Sequence, residues 1–430
     1  METERAGPSA AAQSLTSACR NVLDGTPADA VGGHVPAFVA SPASTEEAAA
    51  VLRAAAAHGL VVVPRGAGTG LAWGAAPSRC DLVIDLREMD QVLEHASGDL
   101  VARVQAGATI GHLASVLAQA GQELVIDAPA QATVGGIIAT GTAGPRRLRY
   151  GAPRDLLIGI TAVRADGVIA HSGGRVVKNV AGYDLGKLLT GSQGTLGLIT
   201  EATFRLHPLP AAVAYVTGEF AGTGSGRAAA VSAVASAAGS ALVPSAVELD
   251  WPGGPAQTPQ ALRVGVLLEG TDSGVAERAK QMSELLASAG TPSVAVSDAP
   301  PARWGQVPPD GAVVRVSFWV SALGDVLEAV TAAGAGAGVP LVVTGSAGAG
   351  LLYACLDPSA DDDAAGRFVA GLRERLAPLN TQGPRASVVV LTGPAGIAAY
   401  GAVPGAALMH AVKDQFDPDH RMFPGRLAAG

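Results

Sequence analysis

Four glycine-rich segments between residues 65 and 197 constrain this chain more than anything else in it. They are Arg65-Gly-Ala-Gly-Thr-Gly70, the run from Ala132 to Gly144, the run from Gly173 to Leu185, and Gly191-Ser-Gln-Gly-Thr-Leu-Gly197. A backbone without Cβ atoms can turn through positive φ and can approach another backbone or a ligand closely. The chain holds 56 glycines and 28 prolines in 430 residues, without the three-residue period of a collagen. Hydrophobic residues make up 48%, which excludes disorder. The glycines therefore belong to a globular chain rich in tight turns and close backbone approaches.

The first segment follows the apolar run Leu60–Val63, read as a buried strand. Its Gly-x-Gly is not a Rossmann fingerprint, because Leu71 to Pro77 cannot supply the long helix that motif must open. No Gly-Lys-Ser/Thr follows, which excludes a Walker loop. What remains is a run of accessible N–H groups that can form an anion-binding nest, with Arg65 and Thr69 adding a charge and a hydroxyl. A tight structural turn explains it equally well. The paired glycines Gly135 and Gly136 allow a flat group or a phosphate against the backbone, or close helix–strand packing. Four such loops in about 140 residues, each at a strand end or helix start, imply a long ligand touched by several loops. A dinucleotide fits that size.

Around these loops the spacing predicts a capped helix after Ser44-Thr-Glu-Glu47, strands over 81–86, 100–104 and 124–126, and a helix over 110–120. Asp166-Gly167 marks a hairpin between 160–164 and 168–170. A short helix over 184–189 and a strand over 196–206 follow, and His207-Pro-Leu-Pro210 breaks the pattern. Residues 1–35 are weakly patterned and read as an extension. Residues 36–210 form a first domain and 211–430 a second, with 414–426 returning to the first. In the second, Ala-rich helices (226–239, 273–289, 321–334, 363–377) alternate with strands, an α+β pattern of helices on an antiparallel sheet. Asp361 to Asp363 suit a helix N-terminus, and His112 and Trp73 read as structural.

The net charge of −8 and the absence of a basic tract exclude nucleic acid as a partner. The cysteines Cys19, Cys80 and Cys355 are far apart and form no Cys-x-x-Cys, so no metal or cluster site is expected. Such a sparse, odd set fits a reducing compartment. The N-terminus has no signal-peptide h-region and no stretch spans a membrane, so the chain is expected in the cytoplasm, at most peripheral to the membrane through partners.

Val62-Val-Pro-Arg-Gly-Ala-Gly-Thr-Gly70, Thr133-Val-Gly-Gly136 and Gly191-Ser-Gln-Gly-Thr-Leu-Gly-Leu-Ile-Thr200 together resemble the signature segments of the vanillyl-alcohol-oxidase/PCMH-type FAD-binding domain. Gly144 to Asp155, Val177 to Leu185 and the closing Phe416 to Arg426 resemble, more narrowly, the FAD-binding E subunits of glycolate oxidase/dehydrogenase complexes. The resemblance implies an α+β fold, two α+β subdomains holding FAD followed by an antiparallel-sheet α+β cap domain. It assigns the pyrophosphate to Pro64, Arg65, Gly66, Ala67, Gly68, Thr69 and Gly70. Thr133, Val134, Gly135, Gly136 and Ala139 would wrap the pyrophosphate and ribityl region, and Gly197 and Ile199 would meet the adenine side. Gly144 and Tyr150 complete the cofactor set. The first loop has no His, so the FAD would be noncovalent.

Relatives that oxidise 2-hydroxy acids carry a His-rich Gly-His-x-Gly-Asp-Gly-Asn-Leu-His-like segment. The matching stretch here, Thr344-Gly-Ser-Ala-Gly-Ala-Gly-Leu-Leu-Tyr353, keeps the glycines and lacks His, Asp and Asn. The resemblance therefore implies a subunit that binds FAD beside a homologous, catalytic FAD-binding subunit and an iron–sulfur subunit, in a complex oxidising glycolate. A self-sufficient hydroxy-acid or alcohol oxidoreductase and a non-catalytic scaffold remain alternatives. Catalytic residues are unassigned. Lys178, Tyr183 and Asp184 are the polar groups expected nearest the flavin, against a reading in which Asp184 caps a helix and Lys178 is solvated. Arg146, Arg147 and Arg149 form a basic cluster suited to a phosphate, a carboxylate, a partner or solvent.

Overall fold

The structure is a computed structural model, and it describes residues 8–174, 183–252, 260–307, 311–381, 383, 385–394 and 396–426. The chain divides into two compact units. The first comprises the described residues of 1–143, 152–209 and 405–430, and the second those of 144–151 and 210–404.

The first unit contains two α+β layers. A four-stranded sheet runs in the order Val22–Asp24, Phe38–Ala40, Leu82–Asp85, Val62–Arg65, and the last three strands are mutually parallel. Ser44 caps the helix Thr45–Ala57 by accepting from the Glu47 N–H, and the Glu47 carboxylate accepts from the Ala43 N–H. Half of the expected capping box is thus closed one residue early. A five-stranded antiparallel sheet runs in the order Val92–Ala96, Val101–Gln105, Leu198–Arg205, Leu157–Val163, Ile169–Gly173. Its last pair is the expected Asp166-Gly167 hairpin, with Gly167 at φ +79°.

Two local expectations are corrected and one open alternative is decided. Residues 8–35 are integral to this unit: helix Pro8–Ala18 buries Ala11 and Leu15, and Val22 pairs with Ala40. Only one i, i+4 pair is buried, too little to show as a periodicity in sequence. The apolar run 124–126 is not a strand. Val125 and Ile126 are buried, but the ladder there is only Gln122–Glu123 against His207–Pro208. The glycine run after Ala132 contains a helix, Val134–Thr140, whose Thr133 cap accepts from the Gly136 N–H.

The second unit carries an eight-stranded antiparallel sheet ordered 293–297, 212–220, 262–270, 246–251, 341–345, 351–356, 313–318, 386–392. Helices Gly224–Ala238, Asp272–Ser288, Leu323–Ala337 and Asp362–Leu376 share one core with alternate strand residues such as Val247, Val264, Val343 and Val316. Asp361 caps the last of them through the Ala364 N–H, at 2.6 Å. Side chains alternate across a sheet, so Glu248, Asp250, Glu269, Arg315, Thr344 and Tyr353 share the opposite face. Among the described residues no helix is long and apolar enough to cross a membrane.

Candidate functional site

Strand Val62–Arg65 runs parallel to Leu82–Asp85, and the loop Gly66–Gly70 leaves its carboxyl end, the usual place for ligands on parallel sheets. Arg65 does not reach out of this loop. Its guanidinium lies 3.0 Å from both Asp85 and Asp29. Asp85 also accepts from the Arg87 side chain and N–H. Burial pushes the Asp85 carboxyl up, but the Arg87 hydrogen bonds and the Arg65 charge outweigh it, so the carboxyl stays below its ordinary range. The Arg65 charge is thus paired with two carboxylates and anchors the end of the strand.

The glycines have separate reasons. A Cβ on Gly66 would sit 2.1 Å from the Thr133 hydroxyl, and one on Gly135 would sit 2.9 Å from the Ala106 methyl. Gly68 has open space but φ +78°. One on Gly197 would sit 2.9 Å from the Val163 carbonyl. Loop 191–194 docks on the helix end through Gly191 N–H to Ile138 and Gln193 N–H to Ala139, at 2.9 and 2.8 Å.

These pieces line one open cleft. Of the expected cofactor residues, Pro64 to Gly70, Thr133, Gly135, Gly136, Ala139, Gly197 and Ile199 line it together. Val134 does not; it is fully buried one residue into the helix. Gly144 and Tyr150 belong to the second unit, where the Tyr150 hydroxyl donates to Glu269 at 3.2 Å. The basic cluster is dispersed there too: Arg146 also meets Glu269, at 3.3 Å, and Arg149 meets Ser245. Tyr183 is 92% exposed. Asp184 caps helix Leu185–Leu189 by accepting from the Lys187 N–H, so the helix-cap reading describes it. Lys178 lies outside the described residues.

The expected cofactor set did not include the residues of the cleft's other side. Thr140, Gln193, Phe423 and Arg426 also line it. The segment 421–426 lies beside Val62, through Val62 N–H to Arg421 at 2.8 Å and Phe423 N–H to Val62 at 2.9 Å. The buried Lys413 ammonium fixes this segment, donating to Thr195 at 2.7 Å, to Met422 at 2.8 Å and to the Asp417 carboxylate. The signals in sequence were the resemblance of Phe416 to Arg426 to the family's closing segment and the expected return of 414–426 to the first domain.

The donors of the loop decide what the cleft can hold. Among the described residues, no N–H from Gly66 to Gly70 donates to a protein acceptor. Five successive uncommitted donors on an exposed, nearly side-chain-free loop suit a pyrophosphate. By contrast the N–H groups of Val134 and Gly135 are committed to Ala108 and Ala106.

Residues 36–173 match the family model described as "FAD binding domain". This segment is an FAD-binding domain. FAD is thus the dinucleotide that the loop array and cleft fit, and no described residue of the loop could bond it covalently through a His. The glycolate oxidase subunit GlcD of Bacillus subtilis is 36% identical over 178 residues, 41% of this chain and 38% of that protein. The D-lactate dehydrogenase of Archaeoglobus fulgidus is 41% identical over 171 residues, 40% of this chain and 38% of that protein. A D-2-hydroxyglutarate dehydrogenase of Xanthomonas citri is 37% identical over 177 residues, again 38% of its length. The matches thus span less than two fifths of these relatives. The fold extends further: p-cresol methylhydroxylase superposes with a TM-score of 0.76 at 18% identity, over 97% of this chain and 96% of that one.

Proposed function

We propose that this chain is the FAD-binding subunit of a complex that oxidises a small 2-hydroxy acid, glycolate first among candidates. The uncommitted N–H array of Gly66 to Gly70 carries the cofactor part of the reading. The likeness to a glycolate oxidase subunit and to D-lactate and D-2-hydroxyglutarate dehydrogenases supports the substrate class. Bound FAD would supply the hydride acceptor. The chain's own part is to hold the pyrophosphate on neutral N–H donors and to keep water from the cleft with Leu71, Leu86 and Phe423.

The acid–base work is assigned to a homologous flavin subunit, with electrons leaving through an iron–sulfur subunit. In this chain the stretch 344–353 folds as the turn between strands Leu341–Gly345 and Leu351–Leu356, burying Thr344 and Ser346. It offers no imidazole or carboxylate. Burial raises the Tyr353 phenol above its ordinary pKa, although the nearby Arg315 and Arg147 charges oppose that, so it holds its proton at neutral pH. The cytoplasm is the compartment this reading assigns, with any membrane contact made by partners.

A second reading, a self-sufficient oxidoreductase, is supported by the likeness to D-lactate and D-2-hydroxyglutarate dehydrogenases. Purification and co-expression separate the cases. The chain alone is expected to be yellow and not bleached by glycolate, and glycolate-dependent dye reduction is expected to need all three subunits. Bleaching without partners establishes the second reading. Full activity when this chain is omitted refutes its membership. A colourless chain that takes up no FAD leaves only a scaffold.

A further inference from the structure

The loop that carries the uncommitted donors does not hold its own shape. Its local turns are two, Leu71 N–H to the Gly68 carbonyl at 3.0 Å and Trp73 N–H to the Gly70 carbonyl at 3.2 Å, and three of its residues are exposed. Glycine-rich backbone is entropically costly to fix. Something must hold the carbonyls so that the N–H groups stay turned to the ligand.

Arg426 does this from the far end of the sequence. It is 2% exposed. One terminal nitrogen, Nη2, donates to the Gly70 carbonyl at 3.1 Å and reaches the Gln193 amide oxygen at 3.5 Å. The other, Nη1, donates to the carbonyls of Ala75 at 3.0 Å and Leu71 at 3.3 Å. The guanidinium also stacks over the Phe423 ring, 4.8 Å from its centroid. A planar fork sets its donors on two terminal nitrogens at a fixed spacing, a reach that the single nitrogen of an ammonium lacks. The fork thereby joins the loop after Arg65, the loop that contains Gln193 and the closing segment, all within the first unit. Its own footing is firm, because Lys413 and Asp417 tie residues 413–422 to the body. The Asp417 carboxylate accepts the N–H groups of Arg421 and Met422 at 3.1 and 2.7 Å.

We propose that Arg426 is the positioning residue of the phosphate loop: it gathers the carbonyls of Gly70, Leu71 and Ala75 and so presents the Gly66–Gly70 N–H array to the pyrophosphate. It acts through the loop rather than by touching the ligand. The inference rests on the reading of the cleft as an FAD site.

The test compares FAD-stripped wild type with Arg426→Gln and Arg426→Lys. Two measurements are made on the full chain: FAD affinity by fluorescence titration, and amide hydrogen exchange without ligand. In the Gln variant the FAD Kd is expected to rise about 10- to 100-fold, since hydrogen bonds from a charged donor are lost. Exchange is expected to quicken in peptides covering 66–76 and to stay unchanged in strands 198–205 and 157–163. The Lys variant, which keeps the charge and loses the fork, is expected to fall between wild type and Gln in both.

An unchanged Kd overturns the proposal. So does a weaker Kd with unchanged exchange over 66–76, which marks direct contact with the phosphate. Faster exchange throughout the first unit in both variants marks a general stabilising role and also overturns it. Failure of wild type to bind FAD defeats the cofactor reading instead, and is seen before any variant is made.

Discussion

Replacing Gly66 with Ala tests how the first loop and the helix Val134–Thr140 depend on each other. Gly66 lies outside the left-handed region, so an alanine fits its backbone, and the difficulty is purely one of space. The new methyl would lie 2.1 Å from the Thr133 hydroxyl oxygen, 3.0 Å from its Cβ and 3.1 Å from its Cγ2. The hydroxyl must move by about 1 Å to reach an ordinary contact, and it is the cap that accepts the Gly136 N–H at 3.4 Å. Overpacking of this kind costs about 1–3 kcal/mol, and loss of a Thr cap about 1 kcal/mol. Thr133→Ala removes the atom at 2.1 Å and leaves the next contact at 3.0 Å. The double variant should therefore be less destabilised than the sum of its parts, by about 1 kcal/mol. Gly68→Ala supplies the contrast. Nothing lies near its Cβ and φ is +78°, so its cost of about 1–2 kcal/mol comes from the backbone and is not relieved by Thr133→Ala. Urea unfolding of the FAD-free chain, followed by FAD titration of each variant, measures both effects. Additive Gly66→Ala and Thr133→Ala, or relief of Gly68→Ala by Thr133→Ala, would refute the reasoning.

Two further outcomes follow from the ionic and thiol groups. Asp85 has a folded pKa below its unfolded value near 3.8, so its ion pairs stabilise the chain above that value and fade as pH falls through the lower one. Asp85→Asn should lower the melting temperature by a constant amount above about pH 5, with the gap to wild type narrowing below about pH 4; a gap that widens in acid contradicts the ion-pair assignment. Burial pushes the Cys80 thiol up to about 11 and the Cys355 thiol to about 12. Neither should be alkylated in the native chain at pH 8 while both react in urea, as mass spectrometry of the labelled peptides would show.

Much of the cofactor site is legible in sequence because a glycine pattern marks the backbone itself. Of the set that the family resemblance assigned, residues 64–70, 133, 135, 136, 139, 197 and 199 line one cleft, and Val134, Gly144 and Tyr150 do not. Helix Val134–Thr140 was harder to see. Two glycines in its first turn each cost about 1 kcal/mol of helix propensity; Gly135 is required by its close approach to Ala106, 29 residues away in sequence, and Gly136 sits against the Thr133 hydroxyl. Arg426 stood in the recognised closing segment, but its contacts left no sign, since the carbonyls it meets are more than 350 positions distant and a carbonyl has no residue identity. The Arg65 ion pairs were hidden for a related reason. Their carboxylates lie 20 and 36 residues away, and only the register of Arg65 against Asp85 brings the nearer one alongside.

The same facts change what the scarcity of charge means. Arg65 is bound to two carboxylates, and Arg426 faces carbonyls, so neither cation at the cleft need meet a phosphate directly. Glycine is required at 66, 135 and 197 by protein neighbours and at 68 by φ, not by a ligand's bulk. On the proposed reading, what is left for the cofactor is five N–H groups that donate to no described protein acceptor. Such a site needs a rigid frame more than it needs charge, and the frame here is assembled from the strand end at Arg65, the loop at Gln193 and a closing segment more than 200 residues beyond either.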